Sequence, residues 1–271
     1  MPVNPFDFNS RDVVAFILVL MRVAGLFLTS PIFSSSNIPA QVKAAWTLLM
    51  AFLIFPIVDY SVSPLPEVGI PFALAVAREL MVGFAIGLGI SMLFAGIQMA
   101  GAIIDVQIGF GLVNVVDPVT STQVSVIGQY YYFVAMMVFL AVDGDHLVIQ
   151  GLSQTFDLIP LGQAHFSPAL ATKMNELFSQ MFFIAFKVGA PVIGALFITN
   201  IALGIIARTV PQMNVFIVGM PLNVIVGLAV IAMSMSFFVF RLSHGAWVSM
   251  RRVKSIHSLL AHSAGVDGNA I

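Results

Sequence analysis

The chain has 271 residues, of which 59% are hydrophobic and only 8% charged, whereas soluble domains carry about a quarter of charged residues. So few charges cannot cover a water-facing surface, and a formal net charge of -1 offers no basic surface for nucleic acid, so both a soluble domain and a nucleic-acid-binding protein are disfavoured. The absence of cysteine from the sequence excludes disulfides, thiolate metal ligands and a cysteine nucleophile.

Long uncharged runs indicate the fold class. Most of them reach the roughly 20 residues that a helix needs to cross the hydrocarbon core of a bilayer. They are apolar on all sides, unlike the alternating strands of a membrane β-barrel. We therefore predict an all-α polytopic membrane protein. The runs are residues 23–42, 80–104, 118–142, 188–207 and 209–240.

The first half of the chain predicts three helices. The first begins near residue 10 and runs to about Thr29, the second covers 44–58, and a proline-containing loop at 59–71 precedes the third. Small residues recur every four positions in the third helix. They either form a ridge for close helix packing or simply reflect how common glycine is in membrane helices. They are Gly83, Gly87, Ser91 and Ala95.

The segment 106–123 is irregular yet apolar. Two glycines, Asn114 and an Asp-Pro pair are typical of irregular backbone, but "IGFGLVNVV" is too apolar for a solvated loop. At membrane depth such backbone is tolerated only where protein encloses it or where it lines a cavity. We expect a loop folded into an interior space, either as a hydrophobic gate that excludes water from a pore or as a buried packing loop.

The second half predicts a fourth helix at 124–142, a fifth at 177–207 and a sixth at 215–240, with short amphipathic helices between the fourth and fifth. The "DGDH" at 143–146 has the residue types of a metal or catalytic site. Without a second His or Asp cluster at helical spacing, a turn that starts a helix is the favoured interpretation. We find no catalytic motif and predict neither an enzyme nor a cofactor or metal.

Ionisable side chains within apolar runs usually face a bundle interior or a wet cavity. Arg22 is interpreted as part of a buried structural ion pair. Arg78 and Glu79 are adjacent, so each needs a partner elsewhere. Asp105 either lines an ion path or caps a helix end, and Lys187 either binds an anion or joins subunits through a carboxylate.

Basic residues cluster near the end of the chain. By the positive-inside rule they predict a cytoplasmic C-terminus. They are Arg241, Arg251, Arg252 and Lys254.

Several stretches together resemble one family over about residues 12–250. They are "PIFSSSNIPAQVKAAWTLLMAFL", "RELMVGFAIGLGISMLFAGIQMAGAIIDVQIGFG", "DP" at 117–118, "DGDHLVIQGLSQTFDLIP" and "GIIARTVPQMNVFIVGMPLNVIVGL". This combination resembles the FliR family of flagellar biosynthetic proteins, which has injectisome counterparts in type III secretion. The pieces at 101–111 and 208–221 are the most specific.

The resemblance implies a noncatalytic subunit of a flagellar protein export gate in the bacterial cytoplasmic (inner) membrane, within the flagellar basal body. Hydrophobic helical hairpins would form one subunit of a helical assembly with FliP-type and FliQ-type subunits, an FlhB-type switch protein, lipid and exported flagellar proteins in transit. In such assemblies helices are lifted out of the bilayer, so our six segments count helices, not crossings. The expected organisation is one helical domain at 1–250 and a polar tail at 251–271.

The resemblance also implies roles for particular residues. The loop at 106–123 would be a plug that helps to close the pore, and the charged residues would become candidates for intersubunit ion pairs. The plug residues are Ile108, Gly109, Phe110, Gly111, Leu112, Val113, Asn114, Val115 and Val116. The ion-pair candidates are Arg22, Arg78, Glu79, Asp105, Lys187 and Arg208.

One alternative function is a self-contained ion-coupled secondary transporter or channel that uses Asp105 or Lys187. It predicts paired broken helices related by internal pseudo-symmetry, and we find no such repeat in the sequence.

Overall fold

A computed structural model describes residues 10–31, 33, 38–60, 65–66, 69–110, 125–164, 168–212 and 214–263. Regular structure within these ranges is helical throughout, which confirms the all-α prediction. The helices are α1 (Ser10–Thr29), α2 (Ala40–Ile54), α3 (Ile70–Ile108), α4 (Val126–Ala141), α5 (Gly144–Leu158), α6 (Pro168–Thr209) and α7 (Val215–Ser263), with a 3-10 turn (Phe55–Ile57) after α2.

Five helical segments in the described ranges are long and apolar enough to cross a membrane. They lie in α1, in α2 with its 3-10 turn, and in α3, α6 and α7. The pair α4 and α5, separated by a short break, would add a sixth if it forms one span. These lengths and compositions are those of a polytopic membrane protein.

Three helices extend beyond their predicted bounds. The predicted loop at 59–71 is too long, because α3 begins at Ile70 with Pro71 in its first turn, where the missing N–H leaves no helical hydrogen bond unmade. Helix α6 already begins at Pro168, and α7 continues through the basic residues to Ser263. Uncharged runs underestimate helix length because a charged side chain is compatible with helical backbone.

The described chain divides into two compact units. The first comprises the described residues within 1–92, 143–177 and 248–271, and the second comprises those within 93–142 and 178–247. Residue 251, where we predicted the tail to begin, falls inside α7.

In the first unit, α1 and α3 cross at glycines. The buried positions of α1 recur at helical spacing, including Leu18, Arg22 and Leu26, and so form one inward face. A Cβ added to Gly83 would overlap the carbonyl oxygen of Arg22, and one added to Gly25 would overlap the carbonyl oxygen of Leu80. The predicted ridge thus provides close backbone packing at Gly83, and Gly87 likewise packs on Thr29, although Ala95 is exposed.

In the second unit, the C-terminal part of α3 packs on α4. A Cβ on Gly101 would overlap the backbone of Gly128, and the Phe94 ring meets the Phe139 ring edge-on with centroids 5.6 Å apart. These contacts fix α4 against α3 at the point where α3 ends.

Helices α6 and α7 form a hairpin in the same unit, joined by the reversal that "RTVPQMN" predicts. The amide nitrogen of Asn223 donates to Oδ1 of Asn200 at 2.9 Å, which links the two helices within otherwise apolar surroundings. The Tyr131 ring of α4 contacts the Phe238 ring of α7 edge-on at 5.0 Å. Helix α7 therefore packs on both α4 and α6.

The α1–α3 crossing generates a test. Gly83→Val should lower the free energy of unfolding by about 3 kcal/mol or more, because rigid backbone atoms oppose the added side chain. Thermal unfolding of the purified protein in detergent measures the effect. Gly194→Val is the matched control, since a Cβ added at Gly194 would meet nothing within 4 Å. Equal stability of the two variants would contradict the packing assignment.

Candidate functional site

A fully buried ion pair lies in the first unit. Nε of Arg22, on α1, donates to Oε2 of Glu79, on α3, at 2.5 Å, and neither side chain is exposed. An isolated charge in this interior would carry a large desolvation cost, which pairing offsets only if the remaining donors and acceptors are also satisfied. The geometry around the pair meets that condition.

The other nitrogens of Arg22 bind the end of α5. Nη1 donates to the carbonyl oxygen of Thr155 at 3.0 Å and to its Oγ1 at 3.3 Å, and Nη2 donates to the carbonyl oxygen of Ile159 at 3.0 Å. The Thr155 carbonyl oxygen also accepts the N–H of Ile159 at 2.9 Å. Carbonyl groups at a helix C-terminus carry partial negative charge, so a guanidinium is favourable there. The Phe156 ring lies 4.3 Å from the guanidinium carbon and adds a cation–π contact.

Glu79 also holds the chain beyond α5. Its Oε1 accepts the backbone N–H of Gly162 at 2.8 Å. Gly162 has a φ of +78°, a left-handed conformation that glycine adopts without strain. The Arg22–Glu79 pair therefore joins α1, α3 and the C-terminal end of α5 inside one subunit.

This network uses both charges within the chain. It matches the interpretation of Arg22 as a buried structural ion pair, and it gives Glu79 the distant partner that its adjacency to Arg78 required. Both side chains are fully buried, and each has hydrogen-bond partners within this chain.

The base of the predicted plug loop lies in the second unit, at the end of α3. The N–H groups of Gly109 and Phe110 donate to the carbonyl oxygen of Asp105 at 3.1 and 3.0 Å. Gly109 has a φ of +104°, which turns the chain out of the helix and which a residue with a Cβ adopts with strain. Helix α3 thus ends at a glycine-dependent cap.

The side chain of Asp105 binds the start of α4. Its two carboxylate oxygens lie 3.2 and 3.3 Å from the backbone nitrogen of Ile127, which donates to them. The neighbouring N–H of Gly128 donates to Oγ of Ser125 at 2.8 Å. Two N–H groups without helical partners are thereby satisfied, and the carboxylate lies at the positive end of the α4 dipole.

Asp105 therefore joins the two ends of the loop. Its carbonyl group holds the residues at which the chain leaves α3, and its carboxylate holds the turn at which the chain enters α4. Between the two expected roles of Asp105, the observed contacts are those of a cap, but the carboxylate caps the following helix rather than its own. Asp105 is buried, so little water competes for these bonds.

The plug candidates lie partly within the described chain. Residues 106–108 are helical, so the irregular segment begins later than predicted, and Ile108 is the fully buried last residue of α3. Gly109 and Phe110 follow it and are half-buried. The others lie outside the described residues: Gly111, Leu112, Val113, Asn114, Val115 and Val116.

Three of the charged candidates are exposed on apolar helices. Arg78 lies on α3, and Lys187 and Arg208 lie on α6. The ammonium nitrogen of Lys187 is 5.3 Å from the centroid of the exposed Phe183 ring. The intersubunit ion pairs predicted for these three cations stay predictions.

The "DGDH" motif forms the predicted turn. Asp143 has a left-handed φ of 55° and precedes the first residue of α5, while His146 is exposed. The interpretation of this motif as a helix start is confirmed.

Several contributing residues have no signal in the sequence. Ile159 and Gly162 act through backbone groups, which every residue possesses, and Thr155 acts through its carbonyl group as well as its hydroxyl, so residue type does not reveal them. Gly128 carries a weak signal, because a glycine in the first turn of a predicted helix suggests close backbone approach.

The Arg22–Glu79 pair generates a second test. Arg22→Met should lower the free energy of unfolding by about 3–5 kcal/mol, because it leaves a buried, unpaired carboxylate. The double variant Arg22→Met with Glu79→Leu should cost less than the two single changes added together. Thermal unfolding in detergent measures all three variants.

Arg78, which is exposed and adjacent to Glu79 in the sequence, supplies the control for this test. Arg78→Met should change stability by no more than about 0.5 kcal/mol. Strictly additive effects of the Arg22 and Glu79 changes would show that the two groups do not interact.

The role of Asp105 generates a third test. Asp105→Ala should remove about 0.5–2 kcal/mol of capping at α4, and Asp105→Asn, which keeps one acceptor oxygen, should lose less. Hydrogen exchange followed by mass spectrometry should show faster exchange in the first turn of α4. Asp145→Ala, in the first turn of α5, should leave that peptide unchanged. Unaltered exchange in Asp105→Ala would contradict the cap.

The sequence was compared with protein families and with known proteins. The sequence profile described as "Bacterial export proteins, family 1" matches residues 13–246. Flagellar biosynthetic protein FliR of Bacillus subtilis (strain 168) is 38% identical, over 84% of this chain and 89% of that protein. The Escherichia coli (strain K12) protein of that name is 30% identical over 79% and 81%, and the Aquifex aeolicus (strain VF5) one is 26% identical over 87% and 91%. The chain therefore belongs to the FliR family of bacterial flagellar export proteins.

Proposed function

We propose that this chain is a noncatalytic subunit of the flagellar type III protein export gate. It forms the pore together with FliP-type and FliQ-type subunits and contacts an FlhB-type switch protein. The loop predicted at 106–123, which begins after Ile108 in the structure, acts as a plug that closes the pore until a conformational change moves it. Exported flagellar proteins then pass.

The observation that carries this proposal is the base of the loop. Asp105 holds the chain where it leaves α3 and where it enters α4, so the intervening segment departs from and returns to one rigid point. A plug needs such an anchor, because a segment fixed at distant points would change position whenever either helix moved. Its apolar composition suits a constriction that excludes water.

The distribution of apolar surface supports a role inside an assembly. In α3, 56% of an apolar 18-residue stretch is buried within the chain, whereas the corresponding share is 22% in α6 and 17% in α7. Large side chains such as Phe183, Ile198 and Phe237 are more than half exposed. Surfaces of this kind are covered by lipid or by helices of neighbouring subunits.

The exposed cations favour protein over lipid at part of this surface. Lys187 emerges among exposed phenylalanines on α6, where acyl chains cannot satisfy an ammonium group. A carboxylate on another gate subunit would satisfy it. Arg78 and Arg208 are candidates for the same kind of contact.

The buried charges support a noncatalytic role. Arg22 and Glu79 are engaged in helix packing, and Asp105 is engaged in joining two helices. We place the subunit in the bacterial inner membrane, with the basic end of α7 towards the cytoplasm.

Deleting residues 110–116, or replacing the apolar ones among them by serine, should increase the leakage of small solutes and ions across membranes that contain the assembled gate. Solute influx into cells that express the gate measures this. Met137→Ser, at an exposed apolar position on α4, is the matched control and should leave the influx unchanged. Unchanged permeability after the deletion would refute the plug assignment.

Co-purification accompanies the permeability measurement. The deletion variant should still be recovered with FliP-type and FliQ-type subunits, with an intact mass equal to that of the parent complex. Recovery of the unaltered chain as a stable and transport-competent single protein would contradict the gate proposal.

A further inference from the structure

Helix α6 has two opposite faces with related spacing. On one face, buried residues recur at intervals of four, three or seven positions, at Ala185, Gly189, Val192, Leu196 and Leu203. On the opposite face, the intervals between exposed residues alternate between four and three. This alternation is that of the seam along which one helix packs on another. The exposed face, here called the outer seam, consists of Lys187, Pro191, Gly194, Ile198, Ile201 and Ile205.

The described chain leaves the outer seam uncovered. Its three isoleucines are each at least half exposed, and a Cβ added at Gly194 would meet nothing within 4 Å. A glycine inside a helix is destabilising relative to alanine, but between membrane helices it lets a second backbone approach closely. The outer seam therefore combines a gap at Gly194 with large apolar side chains after it, as a helix-packing surface does.

A bilayer is too thin to cover the whole of this side of α6. Between Leu177 and Ala207 the sequence contains one charged residue, Lys187. This stretch is about 45 Å long, whereas the hydrocarbon core of a bilayer is about 30 Å thick. If the core covers the residues after Lys187, the exposed rings of Phe178 and Phe182 lie outside it. If it covers those rings, Lys187 lies among acyl chains, which cannot satisfy an ammonium group. Protein therefore covers part of this side.

Lys187 indicates the charge of the group that covers it. Its ammonium nitrogen lies 5.3 Å from the centroid of the Phe183 ring, and no carboxylate of the described residues lies within 4 Å of it. Covering this cation with an apolar helix alone would leave a desolvated charge without a counter-charge. A carboxylate at the same level supplies that charge and accepts hydrogen bonds from the ammonium group.

We propose that the outer seam of α6 docks one helix of a neighbouring gate subunit, and that this helix carries an aspartate or glutamate opposite Lys187. The two helices cross at about 20°, the angle that a seam of this spacing produces. A large apolar side chain of the partner enters the gap at Gly194. The inference rests on the proposed function and adds to it the face, the register and the charge of one subunit contact.

The first experiment changes the outer seam without changing the fold. Gly194→Val should leave thermal unfolding of the chain purified in detergent unaltered, yet lower the recovery of its partner subunits by about tenfold or more, because the added side chain fills the gap. Lys187→Glu should lower recovery similarly, because two carboxylates then face each other, whereas Lys187→Arg should keep it. Lys173→Glu, a charge reversal on the same helix before its uncharged stretch, is the matched control.

The second experiment identifies the partner helix. Ile205 and Ile206 are adjacent and exposed, but only Ile205 lies on the outer seam. The photoreactive amino acid p-benzoylphenylalanine at position 205 should crosslink to another gate subunit in irradiated membranes, with about tenfold higher yield than at position 206. Because Ile205 lies 18 residues after Lys187, a carboxylate should lie about 18 residues from the crosslinked residue of the partner. Exchanging that carboxylate for lysine should restore the recovery that Lys187→Glu loses.

The outcomes separate the outer seam from the proposed function. If the chain is recovered with other gate subunits, and Lys187→Glu and Gly194→Val are recovered with them equally well, the seam inference fails and the proposed function stands. Crosslinks to lipid alone, to a second copy of this chain alone, or with equal yield at both positions also overturn the inference. If the unaltered chain is recovered without any other gate subunit, both fail.

Discussion

The contact between the Arg22 guanidinium and the Glu79 carboxylate determines how three segments far apart in the chain meet. Arg22 lies 57 residues from Glu79 and 133 from Thr155, yet all three groups converge in a space without water exposure. Hydrophobic packing alone would allow α1 and α3 to slide along their glycine contact. A planar guanidinium with defined acceptors allows one register, which is the specificity that a buried polar group adds to an apolar core.

Much of the helical architecture follows from the sequence, whereas the partners of its charges do not. The start of α1, the ridge residues Gly83 and Gly87, and the "DGDH" helix start are each set by local residue types. That Glu79 would be the partner of Arg22 could not be predicted, because nothing local encodes which distant helix lies opposite. The lengths of α3 and α7 were underestimated, because a charged residue limits an uncharged run but does not end a helix.

At the loop that follows α3, some features could likewise be predicted from the sequence and others could not. Glycines, Asn114 and an Asp-Pro pair locate an unusual apolar segment, and its position after a long helix is evident from hydropathy. That the Asp105 carboxylate would hold the next helix depends on the path of the chain between them.

The double anchorage at Asp105 has an evolutionary consequence. Asp105 holds the chain both where it leaves α3 and where it enters α4. The amino-acid composition of the stretch between these points therefore does not set how the two helices meet. Each doubling of the length of a flexible connection costs only about 0.6 kcal/mol of closure entropy. Mutation can therefore exchange or lengthen this stretch while the contact between the two helix ends persists.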